Sequence, residues 1–248
     1  CGKSVLVEQI AAHADADVVV VGLIGERGRE VRELMSSPRR ARMVAVVATA
    51  DRSPLERVRG AAAACAIAEH FRSAGKDVLL VIDSLTRYAM ALREIGLSLG
   101  EPPATKGYPP SVFAALPRLL ERVAPAASGG AITGFYTVLV EGDDLSDPIA
   151  DSARSLLDAH IVLSRDLADR GHFPAIDVLA SASRVARRVA SADACKLADR
   201  ARGILSERRA ALDLQALGAY APGANPTLDR ALAVGSRIDA WAKQPPDV

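Results

Sequence analysis

Strand-length apolar runs alternate with helical segments along this chain, and that alternation restricts the fold more than any other feature. The runs fall at residues 17–24 (DVVVVGLI), 43–49 (MVAVVAT), 77–82 (DVLLVI), 131–140 (AITGFYTVLV) and, briefly, 160–163 (HIVL). They are continuous rather than alternating apolar and polar, the pattern of strands covered on both faces, so a parallel sheet joined by helical crossovers is expected. Each run is far shorter than the 18 or more residues of a membrane-spanning helix.

The intervening segments carry helix signals. Residues 54–73 open with Ser53-Pro54, a capping residue followed by Pro at the first helical position. Their apolar positions Leu55, Val58, Ala62, Cys65, Ile67 and Phe71 recur mostly at three or four residues. Two further helices are expected over 84–98 and 111–123, separated by the Pro- and Gly-rich stretch 100–110, GEPPATKGYPP at its widest. Beyond Arg188 the composition shifts to Ala, Leu, Arg and Glu. Helices are expected over 193–218 and 227–243, the second opened by Asn225-Pro226-Thr227. The expected organisation is therefore a core over residues 1–190 and a helical domain over 191–248.

Composition sets the outer limits. Of 248 residues half are hydrophobic and a quarter charged, which suits a substantial buried core. The formal net charge of +1 argues against a dedicated nucleic-acid surface, although local basic patches remain possible. The three cysteines lie far apart and point to neither a disulfide framework nor a zinc site, in keeping with a reducing cytoplasm. The four histidines are equally scattered, so a metal held by protein ligands alone is not expected.

The chain opens on Cys1-Gly2-Lys3-Ser4, the second half of a G-x-x-x-x-G-K-[ST] phosphate loop, followed by the amphipathic stretch VLVEQIAAHA. In the whole motif backbone amides cradle phosphates, Lys adds charge and the hydroxyl reaches Mg²⁺. Alone, these four residues also read as an ordinary helix start with an exposed Lys. The run ending in Asp83 delivers a carboxylate to the edge of the sheet where ligands bind in open α/β folds. A strand-ending Asp can also simply cap the next helix, as DSLTR would allow. GLIGERGRE places Glu26 at the end of another apolar strand, flanked by Arg27, Arg29 and Arg32. There a carboxylate can polarise an attacking water, or merely favour a helix start.

Three other segments draw attention. The 100–110 loop is stiffened by its Pro pairs, bends at Gly107, and either reaches a neighbouring subunit or is a surface connection. The strand at 131–140 runs into an acidic cluster, Glu141, Asp143, Asp144 and Asp147, with Asp147-Pro148 reading as a helix cap. GHFPAIDVLASASRVARR offers Phe173 as a ring contact and Arg184 in a setting of small residues.

Taken together, CGKS with VLVEQI, GLIGERGREVREL, DRSPLERVRGAAAACAIAEHFR, VLLVIDSLTRYAMALREIGL, GEPPATKGYPPSVFAALPRLLER, FYTVLVEGDDLSDPIADSARSLLDAHIVLSR and GHFPAIDVLASASRV resemble the export ATPases of type III secretion. That group comprises the flagellar export ATPase and its injectisome relatives, and is similar to the catalytic subunits of rotary ATP synthases. G-K-S-V-L and P-A-T-K-G-Y-P-P-S-V-F look more like the flagellar branch. The likeness runs from Cys1 to about Trp241.

The resemblance implies an α/β P-loop NTPase core of the RecA and rotary-ATPase type, with a mostly parallel sheet and a C-terminal α-helical domain. It implies ATP and Mg²⁺ as cofactors. By position it implies Gly2, Lys3 and Ser4 in the phosphate loop, Ser4 and Asp83 on Mg²⁺, and Glu26 activating water with Arg27 beside it. Arg87 lies beyond Asp83, Phe173 takes the adenine position usually held by Tyr, and Arg184 is an arginine finger given to the adjacent subunit. Glu26 and Arg184 in one chain imply a homohexamer whose identical subunits complete one another's sites.

The expected partners are the stator and central-stalk proteins of the export apparatus, export substrates and their chaperones, with a cytoplasmic location peripheral to the inner membrane at the export gate. No nucleic acid is expected. In the family pattern the first Gly of the phosphate loop, its preceding strand and an N-terminal barrel lie upstream of Cys1, and further helices follow the last residue. SSPRRAR at residues 36–42 and A-S-R-V-A-R-R depart from the usual strings. Three readings stay beside this one: a rotary synthase subunit, a hexameric nucleic-acid translocase on the same core, and a non-catalytic binding piece.

Overall fold

The computed structural model describes residues 2–36, 43–127, 129–140, 142, 144, 146–221 and 223–244. Cys1, residues 37–42 of the SSPRRAR segment, Glu141 and Asp143 of the acidic cluster, and residues 245–248 lie outside the described residues. By their contacts the residues form two compact units, Ser4–Leu157, and Asp158–Val248 together with Cys1–Lys3.

The first unit is built on four parallel strands, β1 (Val18–Ile24), β2 (Met43–Ala48), β3 (Asp77–Asp83) and β4 (Ala131–Tyr136), in the order β2-β1-β3-β4. Central β1 pairs with both β2 and β3, Val20 lying opposite Val44 on one side and Leu80 on the other. Its start is locked to that of β3 by two bonds: Asp17 N donates to Asp77 O at 2.9 Å, and Asp77 N to Asp17 Oδ2 at 3.0 Å.

The apolar runs follow from burial on two sides. One face presents Val20, Ile24, Val78, Leu80 and Ile82 to helices α3 (Pro54–Ser73), α4 (Leu85–Ser98), α5 (Pro110–Leu120) and α6 (Pro148–Leu156). The other presents Val19, Val21, Leu23, Leu79 and Val81 to α1 (Lys3–His13) and α2 (Gly28–Ser36). Adjacent residues thus serve opposite cores, as the period of two in a strand requires. Each fully buried Ile or Leu here, such as Ile24 or Leu80, contributes about 1.5–3 kcal/mol.

Helix α3 occupies the predicted residues, and its start is a complete capping box. The Ser53 hydroxyl accepts from Glu56 N, and the Glu56 carboxylate accepts from Ser53 N at 3.0 Å. Its buried face matches the expected one at Cys65, which is buried, and at Val58, Ile67 and Phe71, which pack half-buried against the same core, and differs at two positions. Leu55 is 49% exposed and Ala62 also faces outward, whereas Ala61, Ala64, Cys65 and Ala68 are buried. Gly22 on β1 explains the choice, because a Cβ there would lie 2.8 Å from Ile82 Cδ1 and 3.1 Å from Ala64 Cβ. At its closest approach the helix faces the sheet with small residues, Ala61, Ala64, Cys65 and Ala68, while Val58, Ile67 and Phe71 pack at the sides and Leu55 is turned out.

Two ion pairs fasten α3 to its neighbours. Arg57 donates to both oxygens of Glu94 on α4, at 2.9 and 3.0 Å. Arg122, just past α5, holds Glu69 through Nε and Nη2 at 2.7 Å each and donates to Ala62 O at 3.2 Å. The Arg122 hydrogen bond holds the Glu69 carboxyl below its ordinary value, and burial pushes the Cys65 thiol up to about 11.

Elsewhere the observed elements shift the expected boundaries. Strand β4 ends at Tyr136 rather than residue 140, because the chain then turns to bond the start of α4. Helix α5 starts at Pro110 and stops at Leu120, with Pro117 inside its last turn. The predicted cap at Asp147 is present, its Oδ1 accepting from Ile149 N at 2.9 Å and Ala150 N at 3.2 Å. In the 100–110 loop Lys106 and Gly107 both take positive φ, 46° and 78°.

In the second unit the expected strand at 160–163 is reduced to β5 (Ala159–His160), antiparallel to β6 (Ala182–Ser183). Around it lie α7 (Arg165–Asp169) and α8 (Ala186–Val189), then α9 (Ala192–Ala216) and α10 (Pro226–Ala242). Asn225 caps α10 as its sequence indicates, accepting from Thr227 N at 3.0 Å. Arg202 on α9 donates to the carbonyls of Val178 at 2.8 Å and Ser181 at 3.0 Å, and Arg209 pairs with Asp177 at 3.0 Å.

The Glu69–Arg122 pair makes stability depend on pH. A carboxyl whose folded pKa is depressed adds stability that is present above its ordinary value of 4.5 and lost as pH falls through the folded value. Arg122→Met is expected to flatten that acid limb: urea midpoints of the parent should fall more steeply below pH 4.5 than those of the variant.

Candidate functional site

The strand order turns at the boundary between β1 and β3. From β1 the chain moves outward to β2, then returns across the sheet to β3 and continues the other way to β4. Right-handed crossovers in opposite directions put their helices on opposite faces, which leaves a crevice beyond the carboxyl ends of β1 and β3. Glu26 follows β1 and Asp83 ends β3, so both stand at that crevice. Both are buried, at 6% and 5% exposure. Two carboxylates at such depth need local partners, since an unpaired buried charge is costly.

Local structure explains how each is held. After β1 the chain turns at Gly25, whose φ of 73° a side chain would resist and whose Cβ would lie 2.8 Å from Arg87 Cβ. Gly25 N donates to Ala48 O at 2.7 Å, and Ala50 N to Glu26 O at 3.2 Å, so the Glu26 backbone is fastened to the end of β2. Val31 N donates to Arg27 O at 3.2 Å as α2 begins, and the Arg27 side chain is exposed.

At β3 the peptide from Asp83 to Ser84 is cis, and Ser84 caps α4, its hydroxyl accepting from Arg87 N at 3.3 Å. The Asp83 Oδ1 accepts from the Thr137 hydroxyl at 2.6 Å. Asp83 is therefore not the residue that caps α4; its neighbour is. Arg87 lies half-buried beneath the Gly25 turn, with Nε buried and without a hydrogen-bond partner among the described residues.

The first turn of α1 belongs to the same edge. His13 and Ala14 at its other end border a cavity with Asp77, Val78 and Ala131, the residues that start β3 and β4. The helix therefore runs back toward the carboxyl ends of the strands, with Ser4 exposed near its start. Ahead of it Gly2 takes φ 79°, and Lys3 is half-buried.

Phe173 and Arg184 belong to the second unit. Phe173 is 47% exposed, and its carbonyl accepts from Gln244 N at 3.0 Å. Arg184 follows β6 with an exposed side chain, and its backbone N donates to Asp158 O at 2.8 Å. The structure thus gathers Glu26, Asp83 and Arg87 at one crevice, with Ser4 on the helix that runs toward it. Sequence reasoning passed over Thr137, although the one aliphatic hydroxyl in the string GFYTVLV was its visible sign.

Asp144 of the acidic cluster has a different employment. It accepts from Ser146 through side chain and backbone and pairs with Lys106 at 3.1 Å, interactions that hold its carboxyl down at about 2. Among the described residues no group of three or more His, Cys, Asp or Glu gathers in a metal-holding cluster, and no helix is long and apolar enough to cross a membrane.

Comparison with known proteins covers nearly the whole chain. Residues 1–183 match the model of the ATP synthase alpha/beta family, nucleotide-binding domain, and residues 190–248 match that of the T3SS EscN ATPase C-terminal domain. The chain is 54% identical to the flagellum-specific ATP synthase of Salmonella typhimurium (strain LT2), covering 98% of this chain and 54% of that protein. It is 51% identical to the type 3 secretion system ATPase of Pseudomonas syringae pv. tomato, covering 98% of this chain and 55% of that protein. Among solved structures it is similar to the assembled ATPase EscN from the enteropathogenic E. coli type III secretion system. That match has a TM-score of 0.92 and 46% identity, over 99% of this chain and 60% of that chain. The chain spans about half the length of the curated relatives it matches.

The Gly25 turn yields a stability contrast. Gly25→Ala adds both a positive-φ penalty and a clash with Arg87, so a loss of roughly 1–3 kcal/mol is expected in urea unfolding. Gly28→Ala meets nothing within 4 Å and should change stability by no more than about 0.5 kcal/mol.

Proposed function

Since the chain belongs to the ATP synthase alpha/beta family, we propose that it is the nucleotide-binding core and part of the C-terminal domain of a Mg²⁺-dependent ATP hydrolase that energises type III protein export, in the flagellar branch. The observation that carries this reading is the pair of buried carboxylates, Glu26 and Asp83, at the turning point of a parallel sheet. The 54% identity to a flagellum-specific ATP synthase supports the branch. Residues 1–190 serve as the ATPase core and residues 191–248 as the helical domain.

The donors available suit a magnesium nucleotide. Asp83 offers a hard carboxylate oxygen and Ser4 a hydroxyl, the ligand types Mg²⁺ takes while the phosphates fill further positions. When bound, Mg²⁺ neutralises charge on the β- and γ-phosphoryl oxygens. Lys3 and the amides at the start of α1, Gly2 included, hold those phosphates. Glu26 accepts a hydrogen bond from the attacking water and orients it, with Arg27 and Arg87 supplying positive charge near the reacting group.

Phe173 lends its exposed ring face to the adenine. Arg184 enters the site of the next identical subunit and stabilises charge that develops in the transition state, so the working form is a homohexamer. The EscN relative is described as assembled, and in a further structure as complexed with its central stalk EscO; the same ring and stalk are proposed for this protein. Stator proteins, chaperones and export substrates complete the partners, at the cytoplasmic side of the inner membrane by the export gate.

Glu26→Gln in the full-length protein tests the assignment. ATP affinity should stay within about threefold while turnover falls by 10²-fold or more, the usual contribution of a positioned general base. Undiminished hydrolysis would refute the role of Glu26.

A further inference from the structure

Thr137 stands one residue past β4, and its hydroxyl donates to Asp83 Oδ1 at 2.6 Å. A hydroxyl bond to a carboxylate of that length belongs to the strong, charge-assisted class. The backbone around it is fixed by bonds that do not use the hydroxyl. Thr137 N donates to Ile82 O at 3.1 Å, and Leu85 N donates to Thr137 O at 2.8 Å. Two residues on, Leu139 N donates to the Thr86 hydroxyl at 2.8 Å, which in turn donates to Leu139 O at 3.3 Å. The segment 137–139 is thereby clasped to both sides of the β3–α4 junction, to Ile82 before Asp83 and to Leu85 and Thr86 after it.

This arrangement separates two tasks. Main-chain bonds and Thr86 hold the segment, while the Thr137 hydroxyl is directed to the carboxylate. The terminal torsion of an Asp side chain is broad, so a hydrogen-bonded partner narrows the range of its carboxylate plane. Fixing Oδ1 fixes the plane, and with it the direction in which the group presents itself at the crevice. Thr also brings a stiff χ1, so the donor itself wanders little.

We propose that Thr137 is a positioning residue for the reaction: it sets the orientation in which Asp83 receives the nucleotide-bound metal. The proposal rests on the reading that Asp83 serves that metal. Partners of this kind are typically worth 10–100-fold in metal affinity or activity.

The test uses the full-length protein and three substitutions. Thr137→Val keeps the shape and removes the hydroxyl, Thr137→Ser restores the hydroxyl without the methyl, and Asp83→Asn addresses the underlying reading. Mn²⁺ affinity in the presence of a non-hydrolysable ATP analogue, followed by electron paramagnetic resonance, is measured beside the Mg²⁺ dependence of turnover and the melting temperature. Thr137→Val is expected to weaken Mn²⁺ binding about 10-fold or more and to raise the Mg²⁺ needed for half-maximal rate. Thr137→Ser should return both to within about threefold of the parent.

If Thr137→Val binds Mn²⁺ like the parent while Asp83→Asn does not, the positioning role is wrong and the role of Asp83 stands. If Asp83→Asn also binds like the parent, the reading beneath it falls as well. Should Thr137→Val fail to fold, Thr137→Ala takes its place, and a Thr137→Ser variant as impaired as Thr137→Ala overturns the proposal.

Discussion

Everything at the crevice hangs on the parallel pairing of β1 with β3. Both strands are buried on two faces, and their register is fixed at the start by the reciprocal bonds of Asp17 and Asp77. Because the register is set there, the far ends of the two strands finish level, with Leu23 opposite Asp83. A slip of one residue would send every apolar side chain to the wrong core and carry Asp83 away from the turn that holds Glu26. The chemistry proposed for this protein is thus a consequence of where two carboxylates fall when a hydrophobic register is obeyed.

The helical layer enforces that register from outside. Small residues on α3 admit the sheet to close range, and the ion pairs of Arg57 and Arg122 fix the helix along its length. Glu69 and Arg122 share their charges at partial exposure, where bidentate geometry favours Arg over Lys. At the crevice itself Gly25 serves as the hinge of the arrangement, giving Arg87 room below while the Glu26 backbone is tied across to β2.

Much of this was legible in the residues. Continuous apolar runs announced the parallel strands, Ser53-Pro54, Asp147-Pro148 and Asn225-Pro226 announced helix starts, and the strand-ending positions of Asp83 and Glu26 placed both at the ligand edge. What could not be read were outcomes of contact between distant segments. On α3 the expected Cys65, Val58, Ile67 and Phe71 do pack on the core, but the close approach of Gly22 to Ala64, and the exposure of Leu55, depend on the sheet beneath. The hydroxyl on Asp83 arrives from 54 residues along the chain, a distance over which local pattern carries no information. Strand β4 stops early for the same reason, since its last residues are recruited by Thr86 and Leu85. Phe173 and Arg184 are exposed in a unit of their own, and their proposed roles depend on a nucleotide and a neighbouring subunit.

The close seat of α3 also has a mechanical meaning. Side chains of one or two heavy atoms have almost no rotamers to exchange, so the interface between this helix and the sheet holds little slack. Interiors packed at this density are weakly compressible and pass a displacement on rather than absorb it. A push on the exposed end of α3, where Leu55 projects, is thus delivered to Gly22 and Ile82 within the sheet. The helix and the strands that lead to the two carboxylates are thereby coupled with little slack.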